Sequence, residues 1–171
     1  MVDRMLIDTL TFKAPDLALK WKDLIRKNPQ LKHYQTINDD TLRAMGAAYY
    51  PVLARTLENG LDRRLIGDFF VRIGKERLQK GFPVSEVIFA INLIQKVVLE
   101  YLMTDFVLDS TIRMYQAMGV VTQIAEFFLS GAFYLIKGFL EETYVHMNKQ
   151  DAVSEELLKK YFRDDFFFKK D

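Results

Sequence analysis

The chain has 171 residues, half of them hydrophobic, with 24 basic against 23 acidic side chains and no cysteine. That length suffices for one domain burying roughly two thirds of its unfolded surface without staples. The missing cysteines exclude disulfide frameworks, thiolate metal sites and cysteine nucleophiles, and the interspersed, nearly balanced charges provide no field for nucleic acid or an anionic membrane.

In chain order, the first eight residues carry Asp3 and Asp8 within an apolar stretch and lack the basic, apolar, small-residue order of a signal peptide, so a cytoplasmic location is expected. Pro15 and Asp16 suit the first turn of a helix that contains Trp21, Leu24 and Ile25 and stops at Asn28-Pro29. Asn38, Asp39, Asp40 and Thr41 supply a cap and first-turn acids for a second helix. Pro51 lies inside that pattern and predicts a kink or break near Tyr50. A third helix over 61–80 has glycines at 60, 67, 74 and 81; the outer two suit caps, and the inner two imply close approach of another backbone. Gly81-Phe82-Pro83 reverses the chain into a fourth helix over 84–104.

The last third carries the strongest pattern. Met114, Met118, Val121, Ala125, Phe128, Ala132, Leu135 and Phe139 follow steps of four and three, and Ala117, Val120, Ile124, Phe127, Gly131, Tyr134 and Gly138 form a second row beside them. Gln116, Gly119, Gln123, Ser130, Lys137 and Glu141 remain as a narrow polar strip. A helix so widely apolar is expected to be buried around most of its circumference. It is capped by Asp109 and Ser110 and runs about 55 to 60 Å if it continues to Met147. Residues 119–140 approach the length of a membrane span, but Gln123, Glu126 and Lys137 interrupt them, so a bundle helix is expected and no membrane span. A short tail helix over 151–161 leads to Phe162, Phe166, Phe167 and Phe168, a cluster expected to dock on the bundle or on a partner subunit. With no strand pattern, linker or repeat, the expected architecture is a single all-α domain over 1–171, a bundle of about five or six helices built around the long one.

Catalytic constellations are scarce. His33 and His146 belong to no helix-spaced ligand pair, and two histidines without a strand-turn-helix elbow do not make a triad; neither an enzyme nor a cofactor is expected. Arg77 continues the apolar row Ile66, Phe70, Ile73 and is expected to pair with an acceptor from a neighbouring helix, while Gln95 lies between Ile91 and Leu99 on the inward side of its helix; both are expected to be buried polar anchors. Arg64, Asp68, Arg72, Glu76 and Lys80 alternate in sign at helix spacing, the pattern of a solvated face.

Trp21, Leu24 and Ile25, then Tyr34, then Phe69-Phe70 with Ile73-Gly74-Lys75-Glu76-Arg77 and the run Gly81-Phe82-Pro83-Val84-Ser85-Glu86-Val87-Ile88-Phe89-Ala90-Ile91, make a pattern of Gly-x-x-Arg, glycine turn and amphipathic helix. Over about half of the chain it resembles the N-terminal helical domain of RsbRD-type RsbT co-antagonist proteins. The resemblance implies a bacterial cytoplasmic signalling module, a sensor or scaffold for regulators of a stress-response kinase. In that family a phosphorylatable STAS domain follows the helical region; no strands follow here, so phosphorylation-dependent output is not carried over.

The functional expectation is a homodimeric, non-catalytic signal-transduction domain with a protein partner, working by a shift or rotation of packed helices. Phe127, Gly131, Tyr134 and Gly138 are the expected dimer interface, the glycines permitting close contact. The competing expectation is a small-molecule sensor with an apolar pocket lined by Phe70, Phe127, Phe128 and Tyr134.

Overall fold

A computed structural model describes residues 4–105 and 111–149, side chains at positions 5, 105 and 111–114 excepted. All regular structure among the described residues is α-helical, in eight segments: α1 (Arg4–Phe12), α2 (Ala14–Arg26), α3 (Lys32–Gln35), α4 (Asp39–Ala47), α5 (Tyr49–Asn59), α6 (Arg63–Gln79), α7 (Val84–Asp105) and α8 (Thr111–Lys149). The all-α bundle with one long C-terminal helix is as the periodicity predicts. The expected Asp109-Ser110 cap, tail helix and terminal aromatic cluster lie outside the described residues.

The segment count exceeds the expectation for identifiable reasons. Leu6 and Leu10, one turn apart and both fully buried, make α1 a helix where none was expected. The second expected helix divides at Ala48, and Pro51 falls in the first turn of α5, where its missing N–H leaves no intrahelical bond unmade. Asn38 caps α4 as predicted, its Oδ1 accepting from the Thr41 N–H at 2.8 Å.

The helices group into two compact units, one of residues Met1–Asp62 with Ile88–Phe128, the other of Arg63–Val87 with Leu129–Asp171. In the first, α2 packs on α4 and α1 on α5. Trp21 organises the α2–α4 contact: its ring occupies the space a side chain at Gly46 would need, its edge meets Tyr34 at 6.2 Å, and its Nε1 donates to the Ala90 carbonyl at 2.8 Å. Arg26 fastens the irregular connection after α2 by donating to the carbonyls of Tyr34, Gln35 and Ile37 and to the Asp39 carboxylate. With Lys22 also in reach, the Asp39 carboxyl is held below the usual carboxylate range, chiefly by the Arg26 hydrogen bonds.

In the second unit, α6 ends in a Schellman arrangement. Gly81 has φ of 78°, its N–H donates to Leu78, and the Phe82 N–H donates to the Arg77 carbonyl at 2.9 Å. The hydrophobic contact that commonly accompanies this motif is here made with a cation, since the Arg77 guanidinium lies 5.8 Å from the Phe82 ring centre.

Candidate interaction face on helix α8

Three glycines decide which side of α8 faces α6. A Cβ at Gly131 would enter the Phe70 ring, one at Gly138 would strike the Val71 carbonyl, and one at Gly74 on α6 would strike the Leu135 carbonyl and approach the Phe139 nitrogen. The two backbones therefore touch, as the inner glycines of α6 predict for Gly74. Polar ties flank this contact: Lys75 pairs with the buried Glu141 at 3.0 Å, and Gln79 donates to Glu142 at 3.0 Å, with His146 Nε2 3.4 Å from the same carboxylate.

With Gly131, Leu135, Gly138 and Phe139 turned inward, several apolar positions on the other side of α8 stand exposed. Leu129 is 75% exposed, Phe133 56% and Ile136 40%, at steps of four and three that put them in one row. Lys137 reaches over the Phe133 ring at 5.1 Å, and Tyr134 meets that ring edge-on. Earlier on α8, in the other unit, Tyr115, Met118 and Val121 are exposed as well. Exposed rows of this kind are uncommon on a solvated helix, where polar residues normally occupy the outer face.

The residues expected at a dimer interface are placed differently. Phe127 is fully buried, Gly131 is covered by Phe70, Gly138 by Val71, and Tyr134 is half-buried. The close approach that their glycines permit is made within one chain, to α6, and the apolar residues that stay exposed lie further round the helix. Glu141, assigned to the polar strip, is buried and ion-paired. Sequence reasoning missed the Leu129, Phe133 and Ile136 row because two stripes already seemed to account for the helix; the signal was a third apolar row at the same spacing.

Arg77 is buried, as expected, but its hydrogen bond runs to Glu76 on its own helix, at 3.1 Å, rather than to a neighbouring one, and its Nε has no hydrogen-bond partner among the described residues. Glu76 also binds Lys80, and that hydrogen bond does most to hold its carboxyl below the ordinary range. Gln95 is half-buried. Of the expected pocket residues, Phe70 and Tyr134 belong to one unit and Phe127 and Phe128 to the other. Elsewhere, an open depression of about 290 Å³ lies against Pro15, Asp40, Arg43, Ala44 and Ala47. Among the described residues no three of His, Cys, Asp or Glu are grouped to hold a metal ion.

Val84–Thr104 and Tyr115–Lys149 are long and apolar enough to cross a membrane by length and composition, each with a mean hydropathy of 1.5. A core helix passes the same test, and the apolar stretch of the first is 50% buried by the chain itself, that of the second 33%. Comparison with protein-family models, with curated proteins and with solved structures gives no match in any of the three.

Proposed function

We propose that the chain is a non-catalytic signalling module of the cytoplasm that acts by helix-to-helix protein association, with a second copy of itself as the immediate partner. The Leu129, Phe133 and Ile136 row would form the centre of that contact. The carrying observation is this row's exposure on a helix whose opposite side is fixed against α6. An apolar helical row is matched by the apolar row of another helix, which removes both from water at roughly 25 cal/mol per Å². The resemblance of the region from Trp21 to Leu99 to RsbRD-type helical domains supports a signalling role for the association. Both long apolar helices are read as bundle helices: Val87, Ala90, Ile91, Ile94 and Val98 of α7 are buried, and Glu126, Lys137 and Glu142 stand within α8.

The test is sedimentation of the purified chain beside Leu129→Glu and Phe133→Glu, with circular dichroism to verify folding and native mass spectrometry to count subunits. A dimer that both substitutions dissociate without unfolding is expected. A monomeric parent, or a dimer indifferent to both charges, overturns the reading.

A further inference from the structure

We infer that the second copy docks antiparallel along α8, about a two-fold axis beside Ala132, with Glu126 of each copy set against the partner's Lys137; the inference rests on the association reading above and adds its direction and register. Glu126 is exposed, and Lys137 is half-buried with its ammonium over the Phe133 ring. Both lie on α8, one unbroken helix, so their spacing follows from helix geometry alone. Lys137 follows Glu126 by about three turns, roughly 16 Å along the axis, which puts a carboxylate and an ammonium on the same flank of the Leu129, Phe133 and Ile136 row.

Opposite charges on one flank distinguish the two ways in which a pair of helices can associate. A two-fold axis across the helices, the antiparallel case, brings the same flank of both copies to the same side, so the charges face one another across the contact. A two-fold axis along the helices, the parallel case, turns equal flanks to opposite sides, and neither charge meets its opposite. Setting Glu126 level with the partner's Lys137 places the axis midway, beside Ala132, and makes two such pairs by symmetry. At 1.5 Å per residue the same register sets Leu129 within about one residue of the partner's Phe133, and Ile136 over the gap between the partner's Ala125 and the partner's Leu129. Ala132, at the axis, is small, which favours a short distance between the helices. Exposed ion pairs add little affinity, but they select direction and register among apolar contacts of similar quality.

A charge swap tests the pairing. Glu126→Lys and Lys137→Glu are each expected to weaken self-association by about fivefold or more in sedimentation at low salt, because both pairs become like-charged, and the double variant Glu126→Lys with Lys137→Glu is expected to restore it. The two positions are too far apart along α8 to touch within one chain, so restoration reports contact between copies. The chain has no cysteine, so one introduced cysteine reports only on its own counterpart. Ala132→Cys, at the axis, is expected to form a disulfide-linked dimer on mild oxidation, whereas Thr122→Cys, exposed on the same face and about 28 Å from its counterpart in this register, is expected to form none on that timescale. Circular dichroism verifies that every variant folds. Thr122→Cys linking as fast as Ala132→Cys, or a double variant no tighter than the single ones, overturns the inference. A monomeric parent overturns both readings, and its flotation with phosphatidylcholine vesicles would assign the row to a lipid surface. The two readings fail separately: a dimer that Phe133→Glu dissociates but that links through Thr122→Cys keeps association through the row and overturns its antiparallel direction.

Discussion

Gly138 of α8 rests against the main-chain carbonyl of Val71 in α6, with no side chain between the two backbones. Gly74 repeats the relationship in the opposite sense, against the Leu135 carbonyl. Two helices that meet backbone to backbone at two points have little room to accommodate a methyl group at either.

Alanine at these positions should therefore destabilise the chain despite its better helix propensity. Gly138→Ala and Gly74→Ala each force apart main-chain atoms rather than a flexible side chain, and a net loss of about 1 to 3 kcal/mol is expected. Gly119→Ala is the contrast, because a Cβ there meets nothing within 4 Å, and a gain of about 0.5 to 1 kcal/mol is expected. Urea midpoints at constant slope measure all three; equal effects at Gly119 and Gly138 would show that propensity alone governs both.

Tyr50 is fully buried, and its hydroxyl has no hydrogen-bond partner among the described residues. Burial alone raises its pKa well beyond the ordinary phenol value. Removing an unsatisfied hydroxyl relieves its desolvation cost, so Tyr50→Phe should stabilise by about 1 kcal/mol. A loss of similar size in a thermal or urea melt would mean that the hydroxyl is bonded after all.

Arg77 invites a paired substitution. Its hydrogen-bond acceptor, Glu76, is half-exposed and keeps Lys80, so truncation orphans no buried acceptor. Arg77→Ala should then cost about 1 to 3 kcal/mol through lost packing against Phe82, whereas Arg77→Met, which fills similar space without a buried cation, should be neutral or stabilising. Equal destabilisation by both substitutions would assign the guanidinium a further partner besides Glu76.

Asp39 and Glu76 set an acid-side dependence. Both carboxyls are held below their ordinary values, Asp39 chiefly by Arg26 and Glu76 chiefly by Lys80. A depressed folded pKa contributes stability that is present above the unfolded value, near pH 4, and is lost as pH falls through the lower folded value. Stability should fall below about pH 4, and Asp39→Asn and Glu76→Gln should each flatten that limb. Denaturation curves at acid and neutral pH supply the comparison, and an unchanged pH slope in both variants would discount these pairs.

Much of the fold was legible because helix caps and apolar periods are local. Asn38, Pro51 and Gly81 act within four residues of themselves, and each does in the structure what its chemistry requires. The candidate interaction face was not legible, since periodicity tells how wide an apolar surface is but not which part of it α6 covers. That choice depends on Gly131 and Gly138 meeting Phe70 and Val71, contacts between residues more than sixty positions apart. The partner of Arg77 escaped for the converse reason: a buried cation suggested a distant acceptor, and the adjacent Glu76 supplied it.

The reciprocal glycines also restrict how α6 and α8 can move against one another. Sliding α6 along its axis would carry Gly74 away from the Leu135 carbonyl and Gly138 away from the Val71 carbonyl, so a gliding step brings positions that bear side chains towards both close approaches. Residues 63–79 and 129–149 are thereby keyed into one register. For the module proposed above, a change felt at the Phe133 surface would reach α6 by moving both helices together, not by one creeping along the other.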